Sequence, residues 1–180
     1  MKKFICTSFI LFYMFIGHTQ NNGSQKIESQ HFKRLYEVSD GIYRSEQPSR
    51  KGFFELDSIG IKSVLNLRRT KDNIKKARGL NLHLETLKLK AKELDTDDLT
   101  NALRIINNSE KPVLIHCWHG SDRTGAVVAA YRIVFEEWSK ENAIAELRRP
   151  EFGYHEYRFG NIIELLDNLN VKEVRAELGL

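Results

Sequence analysis

Cysteine is nearly absent from this sequence. It occurs twice in 180 residues, as Cys6 and Cys117. Cys6 lies in a leader that is expected to be removed, so no internal disulfide can brace the mature chain. Proline is almost as scarce, at three residues. No repeat or low-complexity tract divides the chain, and with 41% apolar residues it reads as a single domain with one core. An excess of one charge is missing too, with 28 Lys and Arg against 24 Asp and Glu. Loss of Lys2 and Lys3 would bring the two signs closer still. That balance, without a basic and aromatic cluster, offers no footprint for nucleic acid. Metal-ligand spacings such as His-x-x-x-His are also lacking, so neither a metal nor another cofactor is expected.

A hydrophobic run long enough to span a bilayer is the last absence. The longest, Phe4 to Ile16, interrupted only by Thr7-Ser8, follows Lys2-Lys3 and precedes Gly17-His18-Thr19. It is too short for a comfortable membrane span and fits the apolar region of a secretory signal cut after Thr19. The expected organisation is a signal peptide over 1–19, a flexible polar leader over 20–34, and one domain over 35–180. The mature chain, with no membrane span, would be exported to the periplasm or beyond. An N-terminal membrane anchor is the alternative. Export would leave Cys117 as a lone thiol in an oxidising compartment, which favours a functional role over an inert one.

That thiol sits in the stretch around which the chain is organised, His116-Cys117-Trp118-His119-Gly120-Ser121-Asp122-Arg123-Thr124-Gly125. The apolar run Pro112 to Ile115 leads in, and Ala126 to Tyr131 leads away, which predicts a tight turn between a buried strand and a buried helix. A loop ahead of a helix N-terminus aims unpaired N–H groups at one spot, where the helix dipole adds positive potential. The same field favours the thiolate, the nucleophilic form of cysteine. Arg123, six residues on, can grip two oxygens of a phosphate with its planar fork.

These residues resemble the signature of the cysteine-dependent phosphatases of the protein tyrosine and dual-specificity type. A chance match of His116, Cys117, Gly120, Arg123, Thr124 and Gly125 is roughly a one-in-a-million event at ordinary residue frequencies. The resemblance is tight over about 110–135. It extends more weakly to Ile42-Tyr43-Arg44-Ser45-Glu46-Gln47-Pro48, which looks like a segment of compact bacterial and plant-fungal members, and downstream to Glu146 and Leu147. It implies hydrolysis of a phosphomonoester through a phosphocysteine, on a phosphorylated protein or a small phosphate ester. Alternatives are a phosphoinositide or small-ester phosphatase and a non-catalytic phosphate-binding pseudophosphatase.

The rest of the chain alternates strand and helix patterns. A hairpin is expected over Leu35–Ser45, a helix from Pro48 to Gly60, and a buried strand over Ile61–Leu67. A strand through Leu82, Leu84 and Thr86 should follow, then a helix with the stripe Leu99, Ala102, Leu103 and Ile106. After the loop come an apolar helix over 124–138, a helix capped by Ser139, and a last one carrying Phe159, Ile162, Ile163, Leu166 and Leu169 on one face. The fold class is therefore α/β, a mostly parallel central sheet flanked by helices.

Each side chain at the site has a candidate role. Cys117 is the nucleophile, while Arg123 and the loop N–H groups stabilise the transferring phosphoryl group. Trp118, His119, Gly120, Ser121 and Thr124 are substrate-binding candidates. The Thr124 hydroxyl is within plausible reach of the sulfur, although helix capping would explain it equally. His116 resembles the family's companion of the nucleophile, which implies that it supports the loop and helps to keep the thiolate, although a His at the end of a buried strand also suits a core position. The proton donor departs from the usual pattern, an Asp on a loop roughly thirty residues upstream. Asp122, inside the loop, is the favoured acid, against a field that holds it ionised. Asp95 is the alternative, although Asp95, Asp97 and Asp98 also suit a helix start. Arg68, at the end of its strand, reads more readily as a solvated side chain than as a site residue. The aromatic-rich segment Phe152 to Tyr157 reads as a cover for the core.

Overall fold

The computed structural model describes residues 23–180. The expected signal peptide lies outside them, and no helix among the described residues is long and apolar enough to cross a membrane. Six strands and seven helices follow in the order β1 (Gln25–Lys26), β2 (Tyr36–Ser39), β3 (Ile42–Ser45), α1 (Arg50–Ser58), β4 (Ser63–Asn66), β5 (His83–Thr86), α2 (Thr96–Asn108), β6 (Val113–His116), α3 (Asp122–Phe135), α4 (Lys140–Leu147), α5 (Glu156–Phe159), α6 (Asn161–Asp167) and α7 (Val171–Leu178). The sheet order is β1-β2-β3-β6-β4-β5. β3, β6, β4 and β5 run parallel, and β1 and β2 add an antiparallel edge. This is the expected mostly parallel α/β sheet.

Strand β6 is central because all four of its residues are buried, as a strand covered on both faces requires. Its side chains alternate between two cores. Val113 and Ile115 join Leu65, α2, α3, α4, α6 and α7 on one face. Leu114 joins Phe32, Leu35, Phe53, Leu56, Ile61 and Val64 on the other, under α1. The register sets Ser45, His116 and Asn66 side by side at the carboxyl ends of β3, β6 and β4. Ligands gather at that end of such a sheet.

The helices form for the reasons the sequence offers. Asp95 caps α2 by accepting the Asp98 N–H at 2.8 Å, and Asp97 and Asp98 sit in its first turn. Leu99, Leu103 and Ile106 are fully buried from its stripe, each contributing roughly 2 kcal/mol of apolar burial. α3 is buried from Thr124 to Val134, in keeping with a helix apolar on all sides.

Four expectations need correction. Ser49, not Pro48, starts α1 as its N-cap. α3 begins at Asp122, two residues early, and ends at Phe135, where Glu137 takes φ 57°. The last expected helix is split into α5 and α6, with α7 beyond it. Finally, the segment read as a flexible leader is folded from Gly23 onward. β1 pairs with β2, Phe32 is buried, and Ser24 donates its N–H and hydroxyl to Glu146 Oε1 at 2.7 and 3.0 Å.

Glu146 belongs to a buried charge cluster that joins three parts of the fold. Arg132 of α3 meets it with two bonds of 3.0 Å, Nε to Oε2 and Nη2 to Oε1. The same guanidinium reaches Glu136 and the Val38 carbonyl and lies 4.2 Å over the Trp138 ring. Both partners are almost fully shielded, with side chains 3% and 4% exposed. Removing one charge leaves the other buried alone. Arg132→Met should therefore cost about 3–5 kcal/mol in urea denaturation, and adding Glu146→Leu should recover much of that loss.

Candidate active site

The geometry of the loop between β6 and α3 is set by its carbonyls. The His116 oxygen accepts the Leu67 N–H at 2.8 Å, and the Trp118 oxygen accepts the Gln47 N–H at 3.0 Å. His116 Nδ1 holds the Cys117 oxygen at 3.1 Å. Arg34 Nη1 reaches the His119 oxygen at 3.3 Å, and Arg44 Nη2 reaches the Gly120 oxygen at 2.8 Å. The Ser121 oxygen takes the Gly125 N–H as α3 begins. Every peptide oxygen from His116 to Ser121 is thus held by a donor.

A peptide's N–H points opposite its C=O. With the oxygens of Trp118, His119 and Gly120 drawn outward, the N–H groups of His119, Gly120 and Ser121 face the hollow of the loop. Among the described residues, none of the N–H groups from Trp118 to Arg123 donates to a protein acceptor. That is a ring of free donors at a helix N-terminus, a nest for an oxyanion. Gly120 is needed for it. Its φ is 72°, and a Cβ there would lie 2.6 Å from the Ser45 carbonyl group and 2.7 Å from the Glu46 nitrogen, so two backbones touch where no side chain fits.

Cys117 is 2% exposed at the base of this ring. Arg123 spends one nitrogen on structure, Nη1 donating to the Leu67 and Leu89 carbonyls at 3.1 and 3.3 Å. Its Nε and Nη2 bond no protein group among the described residues, which leaves one edge of the fork for an anion. Thr124 is not the helix cap, a position held by Ser121. Its Oγ1 is buried without a partner, a hydroxyl left free to donate.

His116 anchors a chain of hydrogen bonds whose direction is fixed along its whole length. Arg68 Nη1 donates to Gln47 Oε1 at 3.0 Å, and Gln47 Nε2 to Asn73 Oδ1 at 3.0 Å. Asn73 Nδ2 then donates to His116 Nε2 at 2.8 Å, which leaves Nδ1 to donate to the Cys117 carbonyl. The imidazole is therefore neutral and acts through the Cys117 peptide. Burial, reinforced by Arg68, Lys76 and Arg123, pushes its pKa down to about 4. Gln47 lies in the segment Ile42–Pro48 that resembles the family but has no role readable there, and Asn73 lies in neither a motif nor a periodic segment.

The rim corrects two further expectations. Arg68 is buried, at 9% exposure, and its guanidinium lies 4.1 Å over the Trp118 ring. Trp118 is 54% exposed beside it, a mouth residue rather than a core one. Phe152 is buried as the segment 152–157 was expected to be, but Tyr157 is 85% exposed. His155 bonds the Asp122 carboxylate. A cavity of about 770 Å³ between the 28–31 segment and α1 is lined by Glu28, His31, Lys51, Phe54 and Glu55, none of them from the loop. Chemistry rather than size locates the site.

Residues 27–176 match the model of the tyrosine phosphatase family. The chain belongs to that family. It is 32% identical over 121 residues to the dual specificity protein phosphatase TpbA of Pseudomonas aeruginosa, a match covering 66% of this chain and 55% of the relative. The chain thus spans about half the length of that curated relative. It is 30% identical over 168 residues to the inositol diphosphatase DSP5 of Arabidopsis thaliana, covering 85% of this chain and 78% of the relative. A crystal structure of P. aeruginosa TpbA in complex with pTyr superposes with a TM-score of 0.78 at 25% identity, over 89% of this chain and 98% of that one. The sheet described here is thus that of a solved phosphatase fold.

The buried His116 makes this family member sensitive to acid. An unfolded imidazole takes a proton near pH 6.5, whereas the folded one resists until about 4. Stability present above pH 6.5 is lost as pH falls toward 4, by roughly 3 kcal/mol from this group. Urea midpoints measured at pH 7 and pH 4.5 should differ less in His116→Asn than in the unaltered chain.

Proposed function

We propose that this chain hydrolyses phosphomonoesters in two steps, through a phosphocysteine on Cys117. The observation that carries the reading is the row of loop N–H groups, from Trp118 to Arg123, that follows Cys117 and has no protein acceptor among the described residues, since preorganised donors stabilise charge on a transferring phosphoryl group. Cys117 Sγ attacks phosphorus, and Arg123 holds two equatorial oxygens with its free edge. The Thr124 hydroxyl donates to the sulfur as it leaves again in the second step. Neutral His116 keeps the Cys117 peptide oriented. A pseudophosphatase would have no use for an intact Cys117, Arg123 and Thr124 together. The pattern of Lys2-Lys3 and Phe4 to Ile16 supports export of the mature chain.

The substrate is a phosphorylated protein or a small phosphate ester. The exposed Trp118 face at the mouth suits an aryl group, in keeping with the relative solved with pTyr. A second reading, a polyanionic ester such as an inositol phosphate, draws on Lys88 and Lys90. Both are exposed and flank Leu89, whose carbonyl is tied to Arg123. It agrees with the name of the Arabidopsis relative.

Cys117→Ser should abolish turnover of p-nitrophenyl phosphate while retaining phosphate binding. Activity surviving that change would overturn the covalent mechanism. The double change Lys88→Ala/Lys90→Ala should raise KM severalfold for an inositol polyphosphate if the second reading holds, and should leave KM for an aryl phosphate nearly unchanged.

A further inference from the structure

The segment after the Pro150–Phe152 turn is fastened to the phosphate loop, and the fastening engages the carboxylate expected to be the acid. Gly153 takes φ 63°, and a Cβ there would meet Arg34 Nη2 at 3.0 Å and Ser121 Oγ at 3.4 Å. The backbone of 153–155 therefore runs directly against the end of the loop. Beyond it, the His155 carbonyl accepts the N–H groups of Arg158 and Phe159 at 2.9 and 3.1 Å, and Tyr154 Oη donates to the Phe159 carbonyl at 2.6 Å. His155 is held on both sides.

Its backbone N–H donates to Asp122 Oδ1 at 3.0 Å. Its ring Nδ1 lies 3.1 Å from the same oxygen and 3.2 Å from Oδ2. A carboxylate that accepts from a backbone amide and an imidazole is an acceptor, not an acid poised to give a proton away. Asp122 is well shielded, its side chain 14% exposed, while that of His155 is 38% exposed. His155 Nε2 has no protein partner among the described residues. The ring stands 6.1 Å from that of His119 in the loop and 6.5 Å from exposed Tyr157, which places it at the rim of the loop. Asp95 is engaged elsewhere, as the cap of α2.

We propose that His155, oriented by Asp122, gives the leaving group its proton, an inference that rests on the phosphocysteine reading above. In the first step Sγ forms the S–P bond, and the P–O bond breaks with its electron pair on the ester oxygen. The Nε2 proton of the imidazolium passes to that oxygen. In the second step neutral Nε2 takes a proton from the attacking water, and the S–P bond breaks with its pair returning to Sγ. Inorganic phosphate leaves, and the imidazolium and thiolate are restored. The Asp122 carboxylate holds Nδ1 in both steps and stabilises the imidazolium before the first and after the second.

The test compares two aryl esters with different leaving groups. His155→Gln should lose about a hundredfold or more in kcat/KM, which reports only the step that breaks the ester bond, on phenyl phosphate, whose oxygen needs a proton, and less than tenfold on p-nitrophenyl phosphate. Added imidazole should restore phenyl phosphate turnover to His155→Ala. Asp122→Asn should show the same selectivity at smaller size. Equal losses on both esters in His155→Gln, or selectivity seen only in Asp122→Asn, would overturn the assignment. Diethyl pyrocarbonate on the unaltered chain needs no variant to fold. Modification of His155, mapped by mass spectrometry, should remove phenyl phosphate turnover ahead of p-nitrophenyl phosphate turnover, and parallel loss would count against the proposal. Failure of the unaltered chain to hydrolyse either ester would overturn the phosphatase reading as well, whereas failure of the His155 assignment alone leaves p-nitrophenyl phosphate turnover dependent on Cys117.

Discussion

The structure depends on peptide oxygens being held on the far side of a short loop. Each carbonyl from His116 to Ser121 has a donor, and the donors are Leu67 just after β4, Gln47 two residues after β3, Arg44 of β3, His116 of β6, Arg34, and Gly125 of α3. A free loop would turn some of these oxygens toward the centre, where they would repel an anion. Instead the repulsive dipoles are tied off beforehand, and the attractive ones need no rearrangement when phosphate arrives. The parallel pairing of β6 with β3 and β4 makes this possible, because it brings Ser45 and Asn66 level with His116.

Charge buried behind the loop reinforces it. Arg44 is 2% exposed, bonds the Gly120 carbonyl at 2.8 Å and stacks 4.1 Å over Phe152. Burial pushes its pKa down to about 10, with Glu146 and Cys117 opposing that fall, so it stays cationic under physiological conditions. Glu146 answers Arg132 directly, and the pair ties the residues after Gly23 to α3 and α4. The back of the site and the start of the folded chain therefore share one electrostatic cluster, in which each charge is tolerated because the others are present.

The sequence made the loop legible because its signature is contiguous and bracketed by apolar runs, which fix a strand before it and a helix after it. It made α2 and α4 legible because their caps and stripes coincide. What it hid was long-range or polar. Arg44 and Arg34 reach the loop from 76 and 85 residues away, and no local pattern announces such contacts. Asn73 lies in an irregular segment, and Arg68 sits among charged neighbours that suggested solvent. α7 buries only Val174, too little for an apolar stripe. β1 is two polar residues long, recognisable only by its partner. Asp122 opens α3, but its partner His155 is 33 residues distant, in a segment whose aromatic content suits packing.

The contact between Gly120 and the Ser45–Glu46 backbone has an implication for how such a site can diversify. Main-chain groups and side chains outside the loop hold the anion cradle, and the rings of Trp118 and His119 are spectators to that tethering. Selectivity at the rim can drift through those two positions while the cradle keeps its shape. Chemistry and recognition are thereby written on separable parts of the same ten residues, one inherited as scaffold and the other open to revision.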